Sequence, residues 1–173
     1  MDTTSNLITP TVNPRLKGFT KLITKGECIF GLDSSGQWEV WGNNANGQLG
    51  MGNTTNLSIP MVNPRLNAFT KIYTDRNSMI GLDSSNNWEV CGWNALGQLG
   101  MNNITNLSIP TVNPRLNGFT QIIVGGSIMF GLDSSNNWNG WGYNVSGQLG
   151  MNNGDTYNVP TVNTYLSYIS KLI

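Results

Sequence analysis

The sequence contains no histidine. That excludes a Ser-His-Asp or Cys-His catalytic unit, a His-ligated metal and a histidine pH switch. Two cysteines, Cys28 and Cys91, are present, too few for a disulfide framework or a four-cysteine zinc site. Both fall in apolar, strand-like runs and are expected as buried free thiols. Charge is scarce: Lys+Arg number 9 and Asp+Glu 9 in 173 residues, 10% charged overall, against a usual share of about 25%. Zero net charge without a basic cluster argues against nucleic acid as a partner, because phosphate recognition needs a dense positive face. No run reaches the roughly 18 apolar residues of a membrane span, so no membrane partner is expected. Met1 to Asn6 lacks the basic start and apolar core of a signal peptide. With unmatched thiols, a cytoplasmic or particle-associated location is favoured. No stretch keeps an apolar face at helical spacing without Gly or Pro interrupting it.

What is abundant is Gly, at 21 residues, and Asn, at about one residue in seven. Both are distributed by a repeat. Gly47-Gln48-Leu49-Gly50 recurs at Gly97 to Gly100 and at Gly147 to Gly150. Gly31-Leu32-Asp33-Ser34-Ser35 recurs at Gly81 and Gly131, followed in register by Trp38, Trp88 and Trp138. Asn13-Pro14-Arg15-Leu16 recurs at Asn63 and Asn113. The period is about fifty residues, without insertion or deletion. We read one repeat domain over 1–173, with repeats 1–50, 51–100, 101–150 and a partial repeat 151–173.

Within one unit, short strands alternate with turn signals. Phe19 to Thr24 and Cys28 to Leu32 read as strands around the break Lys25-Gly26-Glu27. Asp33-Ser34-Ser35-Gly36 reads as a turn, with Asp bonding its own backbone. Trp38 to Trp41 reads as a third strand, Gly42 to Gly50 as a loop, and Leu7 to Val12 as a fourth, outer strand held to an edge by Pro10. Near-continuous apolar runs suit a sheet covered on both faces. The fold class expected is all-β: a β-propeller segment of about three blades of four antiparallel strands, plus a partial fourth repeat.

Gly-Gln-Leu-Gly after a Trp-Gly-x-Asn segment (Trp41 to Asn44, Trp141 to Asn144) resembles the repeat of the regulator of chromosome condensation family. The Pro-x-Val and Gly-Leu-Asp elements fall where that repeat has similar features. The resemblance covers essentially the whole chain and implies a β-propeller. It implies no single function, since the founding member is a nucleotide exchange factor bound to chromatin and many others are binding scaffolds. Two departures stand out. The family often has Gly-Gly-x-His-Ser before the second strand, where this chain has Lys25 to Cys28, Asp75 to Ser78 and Gly125 to Ile128. The family ring has seven blades, about twice what this chain holds.

Three blades fall short of the four to eight of a closed ring. Two apolar blade faces are left over, and such faces mark association sites. If these 173 residues are the whole protein, self-association that covers those faces is expected, as a ring of two or more chains or a head-to-tail array. The segment Val159 to Ile173 duplicates the type of segment at Leu7 to Ile23, so one of the two is spare.

Positions identical in every unit are explained by the shared fold, and positions that differ are where a partner is read. The latter are Lys25, Glu27, Asn43, Asp75, Arg76, Asn77, Trp93, Ser127 and Tyr143, all in loops and taken as candidate partner-binding residues. Trp93 and Tyr143 stand in for Asn43 as exposed loop aromatics. Gln48, Gln98 and Gln148 are expected to be buried on loop backbone. Asp33, Asp83 and Asp133 are expected to start turns, since each offers one carboxylate where a calcium site wants several ligands. Trp38, Trp88 and Trp138 are expected in the core. No nucleophile–base pair, metal cluster or phosphate loop is visible, so neither catalysis nor a cofactor or metal is expected. The function expected is a non-enzymatic protein-binding or assembly module, whose partners are itself and another protein. A structural subunit of a virus particle or filament, or a lectin using the repeated Trp and Asn, are the alternatives.

Overall fold

The computed structural model describes residue 9 and residues 11–169. Its strands form three separate four-stranded antiparallel sheets, each a meander. Sheet one is β1 (Phe19–Lys25), β2 (Cys28–Asp33), β3 (Trp38–Gly42) and β4 (Leu57–Val62). Sheet two is β5 (Phe69–Thr74), β6 (Ser78–Asp83), β7 (Trp88–Gly92) and β8 (Leu107–Val112). Sheet three is β9 (Phe119–Val124), β10 (Ile128–Asp133), β11 (Trp138–Gly142) and β12 (Tyr157–Val162). These are three successive blades of a β-propeller, with β1, β5 and β9 approaching one another along the axis.

The blades are out of phase with the sequence units. β4 lies in the second unit but pairs with β3 of the first, Glu39 opposite Val62 and Val40 opposite Met61. A blade therefore runs 19–62, 69–112 or 119–162. The duplicated segments are resolved by this phase. Tyr157–Val162 is not spare, because it completes the third blade against β11. Its counterpart strand at Leu7 to Val12 lies largely outside the described residues. Pro60, Pro110 and Pro160 all fall on the fourth strand, the sheet edge where a missing N–H costs least.

The tight turn between β2 and β3 has a local cause. Asp33 Oδ1 accepts from the N–H groups of Ser35 and Gln37, both at 2.8 Å, and Asp83 repeats this with Ser85 and Asn87. The fourth turn residue has positive φ: Gly36 at 84°, Asn86 at 64° and Asn136 at 63°. Asn replaces Gly there because its short polar side chain tolerates the left-handed region.

Blades pack face to face. Phe30, Trp38, Val40 and Leu49 of the first meet Phe69, Ile72, Met79 and Cys91 of the second, with Leu66 of the linker between. Ile80, Trp88, Val90 and Leu99 of the second meet Ile122, Met129 and Trp141 of the third, with Leu116 of the next linker. Each such side chain removed from water stabilises by about 1.5–3 kcal/mol. One polar bond locks each junction: Trp38 Nε1 donates to Phe69 O (3.1 Å), and Trp88 Nε1 to Phe119 O (3.0 Å).

The outermost faces lack such cover. Leu22 of β1 is 49% exposed, while its counterparts Ile72 and Ile122 are 5% and 2% exposed. Ile29 and Trp41 are half-buried where Met79 and Trp141 are buried. On the other side Phe130 is half-buried where Phe30 and Ile80 are buried.

Candidate functional site

The three β1–β2-type hairpins and the three long loops that follow the third strands lie at the same end of the blades, because both join the ends of odd strands to the starts of even ones. Within each blade one backbone bond couples them: Asn43 N to Glu27 O (2.8 Å), Trp93 N to Asn77 O (2.8 Å) and Tyr143 N to Ser127 O (2.9 Å). The preceding glycines permit this. Gly42, Gly92 and Gly142 have φ of 100°, 107° and 96°, and a Cβ there would strike the carbonyl oxygens of Glu27, Asn77 and Ser127.

Six of the nine sequence-derived residues are thereby brought together in pairs on one rim. Glu27 and Asn43 are further joined by Asn43 Nδ2 donating to Glu27 Oε2 at 3.0 Å. Asn77 sits beside Trp93, with Arg76 exposed next to them, and Ser127 sits beside Tyr143. Trp93 and Tyr143 are half-buried rather than fully exposed. Lys25 is exposed along its stem and reaches across the axis to the third blade, donating from Nζ to Val124 O at 2.9 Å.

Asp75 is not on the rim surface. It is 1% exposed, its Oδ1 accepts from Asn77 N (2.6 Å) and Ser78 N (2.7 Å), and its Oδ2 accepts from Ser78 Oγ (2.9 Å). It folds the hairpin that presents Arg76 and Asn77. Burial pushes its pKa up, partly offset by those bonds and by the charge of Lys25.

The remaining chemistry is structural. Cys28 and Cys91 are buried, and burial pushes both thiols up, away from the reactive thiolate. Among the described residues no group of three His, Cys, Asp or Glu side chains is placed to hold a metal. Trp38, Trp88 and Trp138 are buried and offer no stacking surface to a sugar. Among the described residues no helix is long and apolar enough to cross a membrane.

The three Gly-Gln-Leu-Gly loops are built alike. Each is braced by a buried Asn: Asn44 Oδ1 accepts from Leu49 N (2.9 Å) and its Nδ2 donates to Asn53 O (3.1 Å). Asn94 and Asn144 do the same. A second Asn, at 63, 113 or 163, donates to the carbonyl of Leu49, Leu99 or Leu149. These Asn roles were hidden in a composition rich in Asn. Gln48 and Gln98 are buried as expected, but Gln148 is exposed. The difference is positional: the first two loops lie against a following blade, and the third has none among the described residues.

A family model described as the regulator of chromosome condensation (RCC1) repeat matches residues 40–74. Over that stretch the chain is similar to the RCC1 repeat. Residues 40–74 run from β3 of the first blade to the end of β5 of the second, so the matched stretch spans a junction. Among solved structures, Prp20p of Saccharomyces cerevisiae, described with its binding properties to Gsp1p and histones, is similar over 85% of this chain at 15% identity and a TM-score of 0.73. Yeast RCC1 (Prp20) bound to Kap60 is similar over 89% at 15% identity and a TM-score of 0.74. Human WBSCR16 is similar over 83% at 18% identity and a TM-score of 0.67. The chain spans only 38%, 41% and 37% of those chains. At these identities the likeness establishes the shared RCC1-type propeller fold. No curated protein matches the sequence.

Proposed function

We propose that the chain is a non-enzymatic protein-binding and assembly module. The observation that carries this reading is the pairing on the rim. The positions that vary between otherwise near-identical repeats are held by one repeated backbone bond at one end of the blades. A fixed frame presenting Glu27–Asn43, Asn77–Trp93 and Ser127–Tyr143 is a surface with a polar side and an aromatic side, the mixture that protein interfaces favour. The RCC1-type relatives described with Gsp1p, histones and Kap60 are protein binders, which supports the class of partner without naming one for this chain.

The assembly half of the reading rests on the two uncovered blade faces. Apolar surfaces of this kind mark association sites, which supports another copy of the chain as their cover.

Affinity capture with the wild-type chain and with the double variant Trp93→Ala, Tyr143→Ala tests the rim. Ser34→Arg, in the turn at the opposite end, is the control. A partner held by wild type and by the control, and lost at least tenfold with the rim variant, supports the reading. A partner lost only with the control would overturn it.

A further inference from the structure

We infer that the turn Gly125–Ser127, between β9 and β10, is a two-position element of the rim. It is open in this structure, and it closes when Gly126 turns its carbonyl onto the buried side-chain amide of Gln98. What the two positions are for rests on the rim reading, whereas their existence is a property of the chain alone.

The first junction shows the bond made. Gln48 Oε1 accepts from Asn46 N at 3.0 Å. Its Nε2 donates to Arg76 O, in the turn of the next blade, at 3.2 Å and lies 3.5 Å from Asn43 Oδ1. The second junction keeps the anchor and lacks the bond. Gln98 Oε1 accepts from Leu96 N at 3.1 Å. Gln98 is 1% exposed, and its Nε2 is buried without an acceptor. Trp93 stands in the place of Asn43 and brings only a donor. A buried donor left unpaired has lost its water and gained nothing for it. Both blades of this junction lie within the described residues, so the missing bond belongs to the junction itself.

The backbone of the turn explains the gap. Arg76 does not have positive φ, whereas its counterpart Gly126 has φ of 82°. Positive φ at that place suits the twist of the flanking strands, and it aims the following peptide differently from the one that carries Arg76 O. Arg76 is held otherwise by two braces. Asp75 Oδ1 accepts from Asn77 N and Ser78 N at 2.6 and 2.7 Å, and Cys28 Sγ of the first blade donates to Asp75 O at 3.2 Å. The third blade has neither. Gly125 replaces Asp75, and Ser78, in the place of Cys28, gives its hydroxyl to Asp75 Oδ2 at 2.9 Å. Glycine takes either sign of φ readily. With negative φ at Gly126, its carbonyl takes the place of Arg76 O and Gln98 Nε2 donates to it. Strand twist favours the open position, and pairing the buried donor favours the closed one.

The base of the turn is common to both positions, with Gly125 N donating to Ile128 O at 2.9 Å. Ser127 follows the peptide that moves, and its carbonyl holds Tyr143 N at 2.9 Å. The rim pair Ser127–Tyr143 is therefore adjustable, while Asn77–Trp93 is fixed by Asp75. A partner that touches Ser127 or Tyr143 differently in the two positions selects one of them, because only differential contact shifts such an equilibrium.

Gly126→Ala tests this, because alanine disfavours positive φ and so favours the closed position. Gly36→Ala is the control: Gly36 has φ of 84°, and a Cβ added at either glycine meets nothing within 4 Å. Each is made in the wild-type chain and together with Gln98→Met, which removes the donor and keeps the length. Urea denaturation reads the unfolding constant. In the wild-type chain, Gly36→Ala is expected to raise it at least about fivefold, and Gly126→Ala to lower it or leave it within about twofold. With Gln98→Met, Gly126→Ala is expected to lose that tolerance and raise the constant at least about threefold over Gln98→Met alone. Equal losses from the two alanines in the wild-type chain, or a Gly126→Ala effect that Gln98→Met leaves unchanged, would overturn the inference. Neither result bears on whether the rim binds a partner, which the capture experiment decides.

Discussion

Trp38, Trp88 and Trp138 each fill a blade face and tie its backbone to the chain beyond, with Nε1 bonds of 3.1, 3.0 and 2.9 Å to Phe69, Phe119 and Ile169. Their burial was legible because all three recur in register. The bond was not, because its acceptor lies 31 residues away, beyond the blade that holds the Trp. Trp88→Phe keeps most of the packing and orphans the Phe119 carbonyl. A loss of about 1–3 kcal/mol is expected, measured by urea denaturation, and a loss below about 0.5 kcal/mol would contradict the role given to the indole N–H. The acids divide by environment. Asp33 is lowered chiefly by the bond from Gln37 N. Asp83 and Asp133 feel burial that raises them, outweighed by bonds from Asn87 and Asn137. Lowered carboxylates stabilise the fold above the unfolded value near pH 4 and cease to do so as pH falls through their folded values. Asp75 is raised by burial, as are Glu39 and Glu89, so protonating them favours the folded state. The melting temperature is therefore expected to rise as pH falls from neutral through the raised values of Asp75, Glu39 and Glu89, then drop below about pH 4 as the lowered aspartates are protonated. Asp75→Asn flattens the rise without abolishing it, because Glu39 and Glu89 remain; an unchanged profile would show that Asp75 does not sense burial as described.

At the scale of elements, the period of the repeat was legible and its phase was not. A periodic sequence has no intrinsic start, and only the pairing of Leu57–Val62 with Trp38–Gly42 fixes where a blade ends. The expected strands at Phe19, Cys28 and Trp38 are present at those starts, since β-branched and aromatic runs between turn residues leave few other readings. The candidate rim was legible as a set of variable positions, yet Asp75 belongs to the hairpin's interior. Variation between repeats does not separate a contacting side chain from one that shapes the loop. The three Gly-Gln-Leu-Gly loops supply an internal control. Ala at Gly97 puts a methyl 2.6 Å from the Asn158 backbone, and Ala at Gly147 meets nothing closer than 3.9 Å. Both carry the positive-φ cost of about 1 kcal/mol. Gly97→Ala is expected to cost at least about 2 kcal/mol more by urea denaturation, as an overpacked junction would. Equal losses would mean that the loop-to-strand approach is not tight.

For the whole molecule, stability comes from wedges that cover one another, and among the described residues the two end wedges have one such junction each. The charge deficit noted at the outset fits this arrangement: faces that meet other blades have little room for Lys, Glu or Arg. The decisive measurement is the native mass of the purified chain by light scattering at tens of micromolar. A particle of at least two chains, each 18.9 kDa, is the predicted result. A stable, soluble particle of one chain would contradict the account.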